Sequence, residues 1–158
     1  MDMSDKIILL VEDNEQDELL TVRALEQNNI KNKVVVVRDG ASALDYLFGR
    51  GKFAEKDVSH QPQVILLDLK LPKIDGLEVL KQIRAHNLTK RLPVVILTTS
   101  GEDKDILAGY NLGANSYVRK PVDFIQFAEA IKNLGLFWLV VNQTARSDYK
   151  ESDSGDAN

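Results

Sequence analysis

The sequence predicts a doubly wound α/β fold, a parallel sheet with helices on both faces, and two observations carry that prediction. Short apolar runs alternate along the chain with segments of helical period. Four of the runs also end in polar residues: Glu12-Asp13 after Lys6 to Val11, Asp68 after Val64 to Leu67, Thr98 after Val94 to Leu97, and Lys120-Pro121 after Tyr117-Val118. A strand buried on both faces reads as a continuous apolar stretch, and open parallel sheets bind ligands outside the carboxyl ends of their strands. Such a sheet brings three carboxylates, a hydroxyl and an ammonium to one edge. Clustered carboxylates repel one another unless a cation neutralises them, which points to a hard divalent ion such as Mg²⁺ and to phosphoryl chemistry.

Each element has a local reason. Strand 1 is Lys6 to Val11. Asn14 is an expected N-cap, Glu15 and Asp17 suit the first turn of a helix, and Leu19, Val22 and Leu25 recur on one face to about Gln27. Strand 2 is Lys33 to Val37, and Asp39-Gly40 turns the chain into a helix from about Ala41 with Leu44, Leu47 and Phe48 inward. Residues 49–62 form a loop longer than is usual between such elements. Strand 3 is Gln63 to Asp68, and the turn through Pro72 and Asp75-Gly76 feeds a helix with Leu77, Leu80 and Ile83 on its buried side. Strand 4 is Leu92 to Thr98; Ser100 to Asp103 caps a helix to about Leu112. Strand 5 is Ser116 to Arg119, followed by a helix from about Asp123 carrying Ile125, Ala128 and Ile131, with Gly135 as a weak point.

Composition narrows the function classes. A chain of 158 residues is one domain's worth, and a domain of this size buries roughly 68–70% of its unfolded surface. With no cysteine there is no disulfide framework, thiolate metal site or cysteine nucleophile. The polar start shows no signal peptide, and Leu136 to Val141 is too short an apolar run to span a bilayer; the expected location is the cytoplasm, without membrane attachment. A net charge of −4 without a basic block argues against nucleic acid as a partner. His60 and His86 are isolated and expected at the surface. Residues 142–158 are too polar to offset the entropy of ordering and are expected to be a disordered tail.

The ordered set of residues resembles the receiver domain of two-component response regulators. It comprises Glu12-Asp13, then Asp39, Gly40, Ala43 and Leu44 opening helix 2, Asp68, Pro72, Asp75-Gly76, Thr98, Tyr117 and Lys120-Pro121. The separations from Asp68 to Thr98 and from Thr98 to Lys120 agree with the family, whereas Asp13 to Asp68 is longer because of the 49–62 loop. The resemblance covers about residues 5–141, and with only the polar 142–158 stretch beyond it no output domain is expected. The long loop and the Phe137-Trp138-Leu139 end are similar to the single-domain regulators paired with bacterial phytochrome histidine kinases.

That resemblance implies a flavodoxin-like five-stranded parallel sheet in the order 2-1-3-4-5 and a role for each residue at its edge. Asp68 would accept a phosphoryl group from a histidine kinase, since an ionised Asp is a competent nucleophile and the transfer asks mainly for positioning and charge neutralisation. Asp13, with Glu12 directly or through water, Asp68 and the backbone carbonyl of Lys70, would hold Mg²⁺. Lys120, ahead of a cis peptide to Pro121, would pair with Asp68 and then with the phosphoryl group. Thr98 would donate to a phosphoryl oxygen, and Tyr117 would move into the space Thr98 leaves, a local charge event read out by a bistable element. The output would then be a protein contact with a downstream target. Phe137, Trp138 and Leu139 are candidates for a homodimer interface beside helix 4, strand 5 and helix 5.

Two other readings stay in view. A haloacid-dehalogenase-type phosphatase also uses an Asp nucleophile and Mg²⁺, but wants a second Asp two positions on, where this chain has Lys70. A receiver-like adaptor that is never phosphorylated would bind a partner by the same surface. A glycine-rich phosphate loop of either common pattern is absent.

Overall fold

The computed structural model describes residues 6–99 and 103–133, with the backbone alone at 103–105 and 107. The expected interface residues Phe137, Trp138 and Leu139, the Gly135 break, the cap at Ser100 to Glu102 and the 142–158 tail lie outside the described residues.

Five strands, β1 (Ile7–Val11), β2 (Lys33–Val37), β3 (Val64–Asp68), β4 (Val94–Thr98) and β5 (Ser116–Arg119), alternate with five helices, α1 (Glu15–Gln27), α2 (Gly40–Phe48), α3 (Gly76–Ala85), α4 (Asp103–Asn111) and α5 (Phe124–Asn133). The sheet is parallel throughout, in the order β2-β1-β3-β4-β5. Alternate strand residues divide between two cores. Ile8, Leu10, Leu66 and Leu97 meet Leu25 of α1 and Phe127 and Ile131 of α5 on one face, while Leu9, Leu67 and Ile96 meet Leu44 and Leu47 of α2 and Leu80 and Ile83 of α3 on the other. With both faces covered, β3 and β4 are buried at every position, hence their unbroken apolar sequence.

Asn14 is the N-cap the sequence suggests, and Asp39 and Asp75, expected as turn residues, cap their helices as well: the three accept from the backbone N–H of Asp17, Ser42 and Glu78. The glycines after the two aspartates serve close approach. A Cβ at Gly76 would stand 2.2 Å from the Asp68 carbonyl oxygen, and one at Gly40 would stand 1.9 Å from that of Ile74. Both lie against the backbone stretch from Asp68 to Ile74, so the Asp39-Gly40 and Asp75-Gly76 pairs fix the loop that leaves the site.

The structure also corrects several expectations. Helix α2 starts at Gly40, and β1, β3 and β4 start later than expected, at Ile7, Val64 and Val94. For β4 the reason is local: Leu92 is still in a turn, its N–H bonded to Thr89, and Pro93 has no N–H to give. Leu19 and Ile125 are each 68% exposed, so the buried stripes are instead Thr21, Ala24 and Leu25 on α1 and Phe127, Ala130 and Ile131 on α5. Period alone fixes the spacing of a face but leaves its rotation open by one residue. The 49–62 loop contains a 3-10 turn, Gly51–Phe53, whose Phe53 ring packs edge-on against Tyr46 at 5.1 Å.

Candidate functional site

The site lies where β1 and β3 neighbour each other while the chain leaves them for opposite flanks of the sheet, the place such sheets bind ligands. Each side chain arrives from a strand end that the sheet holds. Glu12 extends β1, its N–H bonded to Val37 at 3.0 Å, and its side chain is fully buried. Asp13, next in line, is exposed. Asp68 and Thr98 are the last residues of β3 and β4, exposed by only 6% and 0%. Lys120 follows β5, its N–H bonded to the Thr98 carbonyl at 2.9 Å, and the Lys120–Pro121 peptide is cis.

One ammonium binds these groups together. Lys120 Nζ stands 2.6 Å from Glu12 Oε1, 3.1 Å from Asp68 Oδ2 and 3.1 Å from Asp17 Oδ2, and its side chain is only 5% exposed. Charges this far out of water persist only when paired. Burial works against the Lys120 charge, but the Glu12, Asp68 and Asp17 carboxylates overcome it and push the group up to about 12, so the ammonium stays ionised. Burial drives Glu12 the other way for an acid: desolvation, with the Asp68 charge adding to it, outweighs Lys120 and pushes its carboxyl from 4.5 up to about 7. Glu12 Oε2 accepts the Asn14 N–H at 3.2 Å, whereas Oε1 has the ion-pair distance to Lys120 without hydrogen-bond alignment.

That leaves a buried carboxylate oxygen with no aligned hydrogen bond, on a residue that belongs to a metal-competent set. Glu12, Asp13 and Asp68 each offer a carboxylate oxygen, all within 4.8 Å of one another. An all-oxygen, multiply charged donor set suits a hard divalent cation better than a thiophilic or imidazole-preferring one.

The remaining expected residues are placed as follows. Lys70 is exposed, and its N–H donates to Asp68 Oδ1 at 3.2 Å, a bond that orients the carboxylate. Tyr117, half-buried on β5, packs against the α2–α3 side of the core and pairs in register with Ile96, two residues before Thr98. His60 and His86 are at the surface, His86 stacked on Phe48 with ring centroids 4.4 Å apart.

Two residues escaped the sequence reading. Asp17 enters it only as a first-turn acid suited to the helix dipole, yet it is the third partner of Lys120. Arg84 on α3 donates to the carbonyls of Gly113, Leu92 and Lys90 and to Asn115 Oδ1, joining α3 to the amino ends of β4 and β5. Neither partnership has a signature in spacing, because both cross between elements far apart in sequence.

Comparison with known proteins places this arrangement. The model of the response regulator receiver domain family matches residues 8–132. Response regulator Rcp1 from Synechocystis sp. is 39% identical over 134 residues, covering 85% of this chain and 89% of that protein. Its Mn²⁺-bound crystal structure superposes with a TM-score of 0.71 over 85% of this chain and 94% of that one, at 38% identity. The bacteriophytochrome response regulator RtBRR is 47% identical, with a TM-score of 0.77 and 94% of each chain covered. The phosphorylated cyanobacterial phytochrome response regulator RcpA is 42% identical, with a TM-score of 0.71 over 86% of this chain and 95% of that one.

Proposed function

The chain belongs to the response regulator receiver domain family of two-component signalling, and we propose that Asp68 is its phosphoacceptor. The observation that carries the proposal is the Lys120 ammonium 3.1 Å from Asp68 Oδ2, beside acids that converge on the same carboxylate. In the transfer, an Asp68 carboxylate oxygen forms a bond to the phosphorus of a kinase phosphohistidine. The P–N bond breaks, and its electron pair stays on the imidazole nitrogen, which takes up a proton. Lys120 then pairs with a phosphoryl oxygen instead of Asp68, and the Thr98 hydroxyl donates to another. Asp13, with Glu12 directly or through water, Asp68 and the Lys70 carbonyl would hold a divalent cation, for which Mg²⁺ is the natural choice because it keeps several waters and accepts phosphate oxygens. When bound, that ion neutralises charge building on the phosphoryl oxygens. Water attacks the phosphorus of the acyl phosphate, releasing inorganic phosphate and returning the free Asp68 carboxylate.

The kinase is proposed to be a phytochrome-type histidine kinase in the cytoplasm, since RtBRR and RcpA carry that association in their names. Among the described residues no helix is long and apolar enough to cross a membrane. The output is proposed to be a protein contact through the α4–β5–α5 face that Tyr117 borders. Tyr110 on α4 and Phe124 and Ile125 on α5 are exposed apolar groups of those elements, and Phe137, Trp138 and Leu139 follow α5 in sequence. A second copy of the chain would cover such a face with two-fold symmetry. Sedimentation of wild type and Phe137→Ala/Trp138→Ala, with and without an acyl-phosphate mimic at Asp68, tests the dimer; a wild type monomeric at high concentration in both states overturns it.

Phosphotransfer profiling against purified histidine kinases tests the main reading. It expects rapid loss of label from one kinase to the wild type and none to Asp68→Asn. Equal labelling of Asp68→Asn would move the acceptor elsewhere, and no transfer from any histidine kinase or small phosphodonor would leave the non-phosphorylated adaptor.

A further inference from the structure

Three carboxylates hold the Lys120 ammonium, and they are not equivalent. Glu12 and Asp68 also belong to the set whose oxygens converge within 4.8 Å, where a divalent cation fits; Asp17 does not. A cation engaging that set competes with the ammonium for Glu12 and Asp68, because both are positive and both need the same oxygens. Asp17 then remains as the partner of Lys120. Its place is set independently of the metal set: it sits in the first turn of α1, its N–H held by the Asn14 cap at 2.9 Å, and its carboxylate reaches the residue after β5.

We infer that Asp17 is a positioning residue for phosphoryl transfer, keeping the Lys120 ammonium over Asp68 when a divalent cation takes Glu12 and Asp68. The inference rests on Asp68 being the acceptor and Lys120 its charge partner. An ammonium on a four-carbon stem has many rotamers, and confining it to the volume beside the reacting oxygen shortens the path to the transition state. Without Asp17 the ammonium settles on Glu12 and Asp68, where it hinders the metal, or turns out toward water. A purely structural role, stapling α1 to the sheet through Lys120, would lower stability but leave the maximal rate and the Mg²⁺ affinity of the folded protein unchanged.

The test uses the full chain and acetyl phosphate, in which an Asp68 oxygen forms the P–O bond and acetate leaves. Initial rates are measured against donor concentration at saturating Mg²⁺ for wild type, Asp17→Asn, Asp17→Glu, Lys120→Met and the Asp17→Asn/Lys120→Met pair. Mg²⁺ affinity of each is measured by calorimetry. Asp17→Asn is expected to lower the maximal rate about ten-fold and to weaken Mg²⁺ binding, and Asp17→Glu to recover most of both. In the Lys120→Met background, Asp17→Asn changes either quantity about two-fold at most. An equal loss in both backgrounds, or a wild-type rate and Mg²⁺ affinity in Asp17→Asn, overturns the inference. A wild-type rate in Lys120→Met overturns instead the site reading beneath it.

Discussion

Two cations sit at opposite ends of the β4–β5 pair, and they are built for different tasks. At the amino ends, Arg84 donates to three backbone carbonyls and to Asn115 Oδ1, and Asn115 in turn exchanges hydrogen bonds with Val94. Every partner there is neutral and fixed by backbone, which suits a rigid planar fork. At the carboxyl ends, Lys120 faces three carboxylates, those of Glu12, Asp17 and Asp68. Glu12 and Asp68 belong to the set proposed to hold a metal ion, and Asp68 is the proposed phosphoacceptor; a point charge on a flexible stem can change partner as they do. The guanidinium holds a joint; on the proposed reading the ammonium serves a site that changes its charge.

Substitutions that separate the two roles give the largest effects. Lys120→Met should cut the phosphorylation rate by a hundred-fold or more, on the order of losing one preorganised group that stabilises transition-state charge. It should also lower the melting temperature without metal, because three acids then face one another, a cost of about 3–5 kcal/mol that added Mg²⁺ offsets. Arg84→Met should lower stability by about 3 kcal/mol, from carbonyls left without donors, while the rate at temperatures where it is folded stays near wild type. Arg84→Lys should not rescue it, since one ammonium cannot span four acceptors. If Mg²⁺ restored Arg84→Met as well as Lys120→Met, or if Arg84→Met slowed phosphorylation as much, the division between the two cations would fail.

Asp13→Asn sharpens the contrast within the acidic edge. It should weaken Mg²⁺ binding about ten-fold by removing a ligand, yet raise the metal-free melting temperature by about 2–4 °C by relieving repulsion. An unchanged Mg²⁺ affinity in calorimetry would remove Asp13 from the metal set. A further contrast is a pH dependence from Glu12. Its carboxyl is raised from 4.5 to about 7 in the folded protein, so the stability it contributes is full below 4.5 and is lost as pH climbs through about 7. Mg²⁺, which needs the ionised carboxylate, should bind more tightly over the same window. Denaturation midpoints and Mg²⁺ titrations between about pH 5 and 8 should therefore move in opposite directions, and Glu12→Gln should flatten both.

Much of this was legible in the sequence because it is local or periodic. Strand ends carry their polar residues in the chain itself, Asn14 announces its helix by cap chemistry, and Asp39-Gly40 and Asp75-Gly76 announce theirs as turns. The convergence of Glu12, Asp13, Asp68 and Lys120 on one sheet edge follows once the strands are placed, and the strand order comes from the family resemblance. What was not legible is contact across elements. Nothing in the spacing of Asp17 or Arg84 tells where the side chain ends, and the rotation of α1 and α5, which leaves Leu19 and Ile125 outside, depends on packing that period does not specify.

The central claim is that the carboxylate beside the Lys120 ammonium takes the phosphoryl group. Incubating the protein with acetyl phosphate and Mg²⁺, trapping the acyl phosphate with borohydride and mapping the reduced residue by peptide mass tests it directly. The account predicts one modified residue, Asp68, with no signal when Mg²⁺ is chelated. Modification at Asp13, Asp17 or any other carboxylate, with Asp68 untouched, would contradict it.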